Sequence, residues 1–320
     1  MQHNEPRPSS VAKHPARLYK YRAVTTLTIE SVVNDVIFFA DPRSFNDPLD
    51  TKPVVDSDLN THELKELLSK LVISRSAGAM KAAALSIGYR GPRTLEHIGQ
   101  RGLSQVKRLL EKIAYHATDP EYGGMEEDAH RRLLARAIQD ELLAQYDRGI
   151  FSMAERSDCP LMWSHYGDEH RGVCLGFSVP DSVAARLHRV EYGGSRLVAA
   201  SRVAEMASGD DRARRDVDAA VLARKARDWR YEREWRLVGD KGLADSPLEL
   251  EDVTFGMRAA PSVRHAIVKA LEGREKNIQF FEMCEQPASF KLKRRVFNGG
   301  EISVGYPRRA LSALEGFEDV

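Results

Sequence analysis

The stretch YKYRAVTTLTIESVVNDVIFFADPRSFNDP (Tyr19–Pro48) changes its hydrophobic period twice. LYKYR alternates, which predicts a strand with Leu18, Lys20 and Arg22 on one face and the two tyrosines on the other. TLTIESVVND has apolar residues at helical spacing, with Thr28 as the expected N-cap, and VIFFA predicts a second strand. We therefore expect the fold to open with a strand, a short helix and another strand.

The loop DPRSFNDP (Asp41–Pro48) ends this stretch. Asn and Asp side chains can hydrogen-bond to the backbone of their own turn, so an ordered loop is expected here. Ordered loops often carry binding residues. We predict that Ser44, Phe45, Asn46 and Asp47 form one wall of a ligand pocket.

The central region has a different pattern from the two ends of the chain. Three segments between 62 and 146 place apolar residues three and four positions apart, which predicts amphipathic helices. Strand patterns return at 149–155 and continue to 290–297. Strands at both ends and helices between them predict an α+β fold with an inserted helical subdomain. The expected divisions are a disordered N-terminal arm (1–16), the first part of the α+β core (17–55), the helical insertion (56–147), the remainder of the core (148–298) and a C-terminal tail (299–320).

Composition mainly excludes functions. The 320 residues carry 48 Lys and Arg against 47 Asp and Glu, so net charge points to no partner. Three widely spaced cysteines favour a reducing compartment over a disulfide framework. Because no secretory signal and no apolar run of about 20 residues occurs, we expect a cytoplasmic protein with no membrane partner. The absence of GxGxxG and Walker motifs argues against Rossmann and P-loop sites.

Two acids lie close together in WRYEREWRLVG (Trp229–Gly239). If this segment is a strand, Glu232, Glu234 and Arg236 share a face, with the carboxylates about 7 Å apart. They would then form either a solvated face opposite a buried aromatic stripe, or a rigid pair that orients a sugar hydroxyl and stabilises positive charge. This segment alone leaves both interpretations open.

Aromatic residues crowd the segment CPLMWSHYGDEHRGVCLGF (Cys159–Phe177). Trp163, His165 and Tyr166 form either a buried anchor or the aromatic wall of a ligand site. His165 and His170 lack the HExxH spacing, so we expect no metal site.

Four motifs together resemble a bacterial family catalogued as domain of unknown function 2971. They are LYKYR, P-x-x-FNDP, LMW-SHY-x-x-x-H-x-G-x-C-x-x-F and W-x-YE-x-EWR, at 18–22, 42–48, 161–177 and 229–236. Membership of that family does not by itself imply a reaction.

The order of chemical groups is similar to that of ADP-ribosyltransferases: a basic residue on the first strand, a polar and aromatic element after the second, and Glu-x-Glu on a late strand. This similarity implies an ADP-ribosyltransferase-like mixed β core. It also implies an enzyme that cleaves the nicotinamide glycosidic bond of NAD and transfers ADP-ribose to a nucleic acid or protein. Such an enzyme would act as a toxin or phage-defence effector, with an antitoxin or regulator as a further partner. The chain departs from the pattern because no Ser-Thr-Ser follows the second strand, only Ser44.

By the same similarity, Glu234 would bind the nicotinamide ribose and Glu232 would orient the acceptor. Arg22 would contact the dinucleotide's phosphate or ribose, and Tyr166 or Phe45 would stack on nicotinamide. The other residues expected to bind NAD are Lys20, Ser44, Asn46, Asp47, Trp163 and His165.

Three further functions remain open, one of them a protein-interaction role through the helical insertion. The arginines and aromatic residues of 212–236 could form a non-catalytic nucleic-acid-binding or sensing module, although neighbouring aspartates offset much of the charge. A metal-dependent hydrolase using His165, Asp168 and the glutamates would have poorly spaced ligands.

Overall fold

A computed structural model describes residues 14–88, 94–119, 125–300 and 305–307. The strands are β1 (Arg17–Arg22), β2 (Val36–Phe39), β3 (Val54–Asp56), β4 (Gly149–Ala154), β5 (Val173–Ser178), β6 (Leu187–Arg189), β7 (Glu191–Tyr192), β8 (Leu197–Ala199), β9 (Arg224–Lys225), β10 (Glu234–Gly239), β11 (Gly242–Asp245), β12 (Glu249–Phe255), β13 (Gln279–Glu285) and β14 (Leu292–Val296). The α-helices are α1 (Thr26–Val33), α2 (Thr61–Ser86), α3 (Thr94–Ala117), α4 (Glu126–Gln145), α5 (Pro160–His165), α6 (Ala200–Ala207), α7 (Asp211–Leu222) and α8 (Pro261–Leu271).

The chain divides into two compact units. The first contains 1–40, 150–189 and 228–320, and the second contains 41–149 and 190–227. Strands and helices in this arrangement confirm the α+β class.

An eight-stranded mixed sheet forms the centre of the first unit, in the order β14-β13-β12-β5-β1-β4-β10-β6. β1 pairs antiparallel with β5 over its whole length, and β12 and β13 form a parallel pair. The first strand predicted from the sequence therefore lies inside the sheet.

The sheet buries both of its faces. On the first face, Leu18 packs with Phe177 and Phe255 in the main core, to which α1 and α8 contribute. On the second face, Tyr21 meets the indole of Trp163 edge-on, with 5.2 Å between ring centroids. The side-chain alternation predicted for Leu18 and the tyrosines is thus confirmed.

The predicted cap of α1 was wrong. Thr25, in extended backbone, is the N-cap, and its Oγ1 accepts a hydrogen bond from the backbone N–H of Thr28 at 3.3 Å. Thr28 lies inside the helix, and its hydroxyl donates to the carbonyl of Ala23 at 2.7 Å. Three threonines near the helix start, Thr25, Thr26 and Thr28, made the sequence signal ambiguous.

The segment 229–239 does not form the single continuous strand considered from the sequence. Arg227–Glu232 forms a 3₁₀ helix, and the strand begins at Glu234. Arg233 lies between them with φ 44°, in the left-handed region, which ends strand alternation at this point.

The second unit contains α2, α3 and α4, which pack against one another as the periodicity predicted. The DPRSFNDP loop also lies in this unit. Asp41 caps a 3₁₀ turn by accepting from the backbone N–H of Arg43 at 2.9 Å, and Asp47 accepts from Leu49 at 2.9 Å. The expectation that the loop's own acidic side chains hold its backbone is confirmed. Just after it, the buried carboxylate of Asp50 pairs with Lys225 at 3.5 Å.

A buried aspartate connects three strands of the sheet on its second face. Asp252 accepts hydrogen bonds from Arg17 at 2.9 Å and from Arg294 at 2.7 Å. Burial raises the pKa of Asp252, and the two guanidinium groups lower it only in part. Its carboxylate lies directly over Gly176 of β5.

Gly176→Ala should destabilise the protein by about 1–3 kcal/mol, because the new Cβ would lie 2.5 Å from an oxygen of Asp252. The matched control is Gly78→Ala in α2, where the added Cβ meets nothing within 4 Å. That substitution should stabilise the helix by roughly 0.5–1 kcal/mol. Urea unfolding of both variants measures the difference, and equal effects would contradict the tight packing at Gly176.

Candidate functional site

Trp163 anchors the short helix α5 to the second face of the sheet. Its side chain is fully buried, and its indole N–H donates to the carbonyl of Ser157 at 2.9 Å. Pro160 opens the helix at its first turn, where a missing N–H costs nothing. His165, the last residue of the helix, is exposed, and Tyr166, which follows it, is half-buried.

A left-handed turn follows this helix. Asp168, Glu169 and His170 have φ values of 51°, 50° and 70°, a conformation that costs non-glycine residues about 1–2 kcal/mol each. In return, the N–H groups of Gly167 and His170 both donate to the carbonyl of Trp163 at 3.2 Å. The imidazole of His170 also lies nearly parallel to the indole, with 6.1 Å between ring centroids and 16° between planes.

Two glycines allow this turn to approach the ends of β1 and β12. A Cβ on Gly172 would lie 2.1 Å from the carbonyl oxygen of Arg22. A Cβ on Gly256 would lie 2.1 Å from the carbonyl oxygen of His170. Glycine is required at both positions because the obstructing atoms belong to the backbone.

β10 carries one of the predicted acids on the second face. Trp235 and Leu237 join the main core on the first face, so Glu234 and Arg236 project to the other side. Both are buried, and Arg236 donates to Glu234 through Nε at 2.9 Å and Nη2 at 3.1 Å. This bidentate ion pair fixes the plane of the Glu234 carboxylate.

The second predicted acid comes from the 3₁₀ helix. Glu232 is buried, and its Oε1 accepts the hydroxyl of Tyr166 at 2.7 Å. The ring of Tyr231 is half-buried and lies 6.2 Å from the ring of His165. We call the following residues the acid–aromatic cluster: His165, Tyr166, Tyr231, Glu232, Glu234 and Arg236.

Of the predicted site residues, the structure packs Trp163, His165, Tyr166 and Glu232 into one group, and Glu234 projects from the same face of the sheet. Trp163 contributes packing beneath the cluster and has no exposed surface, so it cannot touch a ligand. The cluster combines two buried carboxylates with partly exposed rings.

Lys20 and Arg22 are not on this face. Lys20 donates to the carbonyl of Ser152 at 2.7 Å, and its Nζ lies 5.0 Å above the ring of Phe151, a residue of the main core. Strand alternation puts Arg22 on that same first face. The structure therefore does not bring these two cations to the face that carries Glu234.

Ser44, Phe45, Asn46 and Asp47 belong to the second unit, and their place in a pocket with the acids stays a prediction. Sequence reasoning missed Tyr231, because strand alternation over 229–239 would place it on the same face as Trp235. The left-handed backbone of Arg233 changes the phase between the two rings, and no sequence signal marks that change.

The pKa of His170 is lowered, first by burial and then by the positive charge of Arg258. Its Nδ1 is buried and has no hydrogen-bond partner among the described residues. Within the described ranges, no three His, Cys, Asp or Glu side chains are grouped to hold a metal. Over the same residues, no helix has both the length and the apolar character needed to cross a membrane.

Residues 162–237 match a family described as Protein of unknown function (DUF2971). The match contains nearly all of the LMW-SHY segment and the whole W-x-YE-x-EWR segment, and it confirms the family resemblance. LYKYR and the FNDP loop lie outside it. Comparisons with curated proteins and with solved structures give no match.

His170→Asn should reduce the pH dependence of thermal stability. Because the folded pKa of His170 is lowered, the unfolded chain binds its proton more readily, so stability is lost as pH falls below about 6.5. Asn tolerates left-handed backbone but cannot take up this proton. The Tm of the variant should be lower at pH 7.5, where the ring stack is lost, and should fall less between pH 7 and 5.

The control for this experiment is His165→Asn, which alters an exposed ring at the end of the same helix. If the Tm of His170→Asn changes with pH as much as the Tm of the unmodified protein does, the pKa of His170 does not change on folding.

Proposed function

We propose that this member of the DUF2971 family is an ADP-ribosyltransferase-like enzyme that cleaves NAD and transfers ADP-ribose to a macromolecule. The observation that carries the proposal is the acid–aromatic cluster. It combines two buried carboxylates, Glu232 and Glu234, with the partly exposed rings of His165, Tyr166 and Tyr231.

The proposed reaction has specific electrostatic requirements. The bond between ribose C1′ and the pyridinium nitrogen breaks, and its electron pair stays with the nitrogen, so nicotinamide leaves as a neutral ring. C1′ becomes an oxocarbenium-like centre, which a nearby carboxylate stabilises. An oxygen or nitrogen of the acceptor then bonds to C1′, and its proton passes to a carboxylate or to water.

Glu234 is suited to binding the nicotinamide ribose. Arg236 donates one hydrogen bond to each of its carboxylate oxygens, which fixes the plane of the carboxylate. In this proposal a ribose hydroxyl donates a hydrogen bond to the oriented carboxylate. Fixed orientation also lowers the reorganisation needed in the transition state.

Glu232 and the rings have complementary roles in this proposal. The Tyr166 hydroxyl holds the Glu232 carboxylate, which would orient the acceptor nucleophile and take its proton. Tyr231 and His165 offer ring surfaces for stacking of the nicotinamide. A nucleic-acid or protein acceptor would make the enzyme a toxin or phage-defence effector.

Glu234→Gln should lower nicotinamide release from NAD by about 100-fold or more, because the amide cannot stabilise the positive charge at C1′. The assay follows nicotinamide by chromatography, with candidate nucleic acids or lysate as acceptors. Glu275→Gln, an exposed glutamate of the same unit, is the control and should keep full activity. No release with any acceptor would count against NAD cleavage, and equal release by Glu234→Gln would count against the role assigned to Glu234.

A second candidate is the nucleic-acid-binding module. Arg212, Arg214 and Arg215 are exposed on α7, which favours phosphate contacts, whereas Arg236 is buried in an ion pair. Binding of a labelled oligonucleotide should weaken steeply with added salt and should weaken again in the triple Arg→Gln variant of α7. If neither added salt nor the triple substitution weakens binding, this role is excluded.

A further inference from the structure

Arg22 is a half-buried cation with no acidic partner. It is the last residue of β1, and within the described part of the chain its side chain has no hydrogen bond, ion pair or ring contact. Burial lowers its pKa, and no carboxylate offsets that effect. Removing a guanidinium from water without pairing it is unfavourable for the folded state.

The other arginines of the sheet are treated differently. Arg17 and Arg294 pair with Asp252, and Arg236 pairs with Glu234. The fold therefore supplies a carboxylate wherever those guanidinium groups leave water. Arg22 is the exception, which suggests that its partner is a ligand.

The surroundings of Arg22 favour an anion. Lys20 projects from the same face two residues earlier, about 7 Å along the strand. Val173, the residue of β5 that pairs with Arg22, is apolar, so its side chain provides no competing hydrogen-bond acceptor. No guanidinium nitrogen of Arg22 is among the buried atoms without a partner, so each still reaches solvent.

We propose that Arg22 binds the phosphate group of a ligand on the first face of the sheet, at a site separate from the acid–aromatic cluster. A phosphate monoester is close to a dianion at neutral pH, so it supplies the negative charge that the fold does not provide for Arg22; Lys20, already hydrogen-bonded to Ser152, adds positive charge to the same face. The planar guanidinium can donate two parallel hydrogen bonds to phosphate oxygens. The site does not depend on NAD cleavage, because the two groups of residues lie on opposite faces.

Thermal unfolding of Arg22→Met tests this site through two effects of defined sign. In phosphate-free buffer the variant should have a higher Tm than the unmodified protein, because a partly desolvated guanidinium without a carboxylate partner is removed. Inorganic phosphate should raise the Tm of the unmodified protein by linkage and leave Arg22→Met unchanged. Arg171→Met is the control, since Arg171 is exposed and already paired with Glu169.

Adenosine monophosphate and a short single-stranded oligonucleotide form the other arms of the experiment. A larger increase in Tm with the mononucleotide would identify the ligand as a small phosphate ester. A larger increase with the oligonucleotide would identify it as a nucleic-acid backbone. The proposal fails if Arg22→Met lowers the Tm in phosphate-free buffer, if phosphate protects the variant equally, or if no arm protects the unmodified protein.

Discussion

The burial of Trp163 against the second face of the sheet determines how the candidate site is built. Its indole is held by a hydrogen bond to Ser157, by the edge of Tyr21 and by the ring of His170. Its carbonyl accepts the two N–H groups that close the left-handed turn. Together these contacts leave a six-residue helix no freedom to rotate, although a helix of that length has little stability of its own. Tyr166, three residues later, is therefore presented to Glu232 in one orientation.

The two faces of the sheet separate charges that the sequence places on neighbouring strands. Strand alternation sends Lys20 and Arg22 to the first face, while Glu234 and Arg236 face the second. A similarity based on the order of residues along the chain cannot distinguish these faces, because order is preserved when a strand's phase changes. Glu234 and Arg22 consequently lie in two separate chemical environments, one on each face of the sheet.

Much of the fold could be predicted from local patterns. The alternation in LYKYR and the helical periods of α2 and α4 correctly predicted those elements, because burial on one face dictates the period. The phase change at Arg233 could not be predicted, since no residue type there requires positive φ. The ion pairs could not be predicted either. Asp252 lies 235 residues from Arg17, and only the tertiary structure shows which arginines are paired with a carboxylate.

The segment matched to the family combines residues of two physical kinds. Trp163, Gly172 and Trp235 serve packing: the tryptophans fill the two faces, and the glycine lets backbones meet. Glu232 and Glu234 are different, because a buried carboxylate lowers stability unless it is paired, and apolar residues of similar size would pack at least as well. A fold that retains both acids, each with its own donor, keeps polar groups that packing alone does not require. That excess of buried polarity, on the face that carries the partly exposed rings, is the physical reason to seek chemistry there.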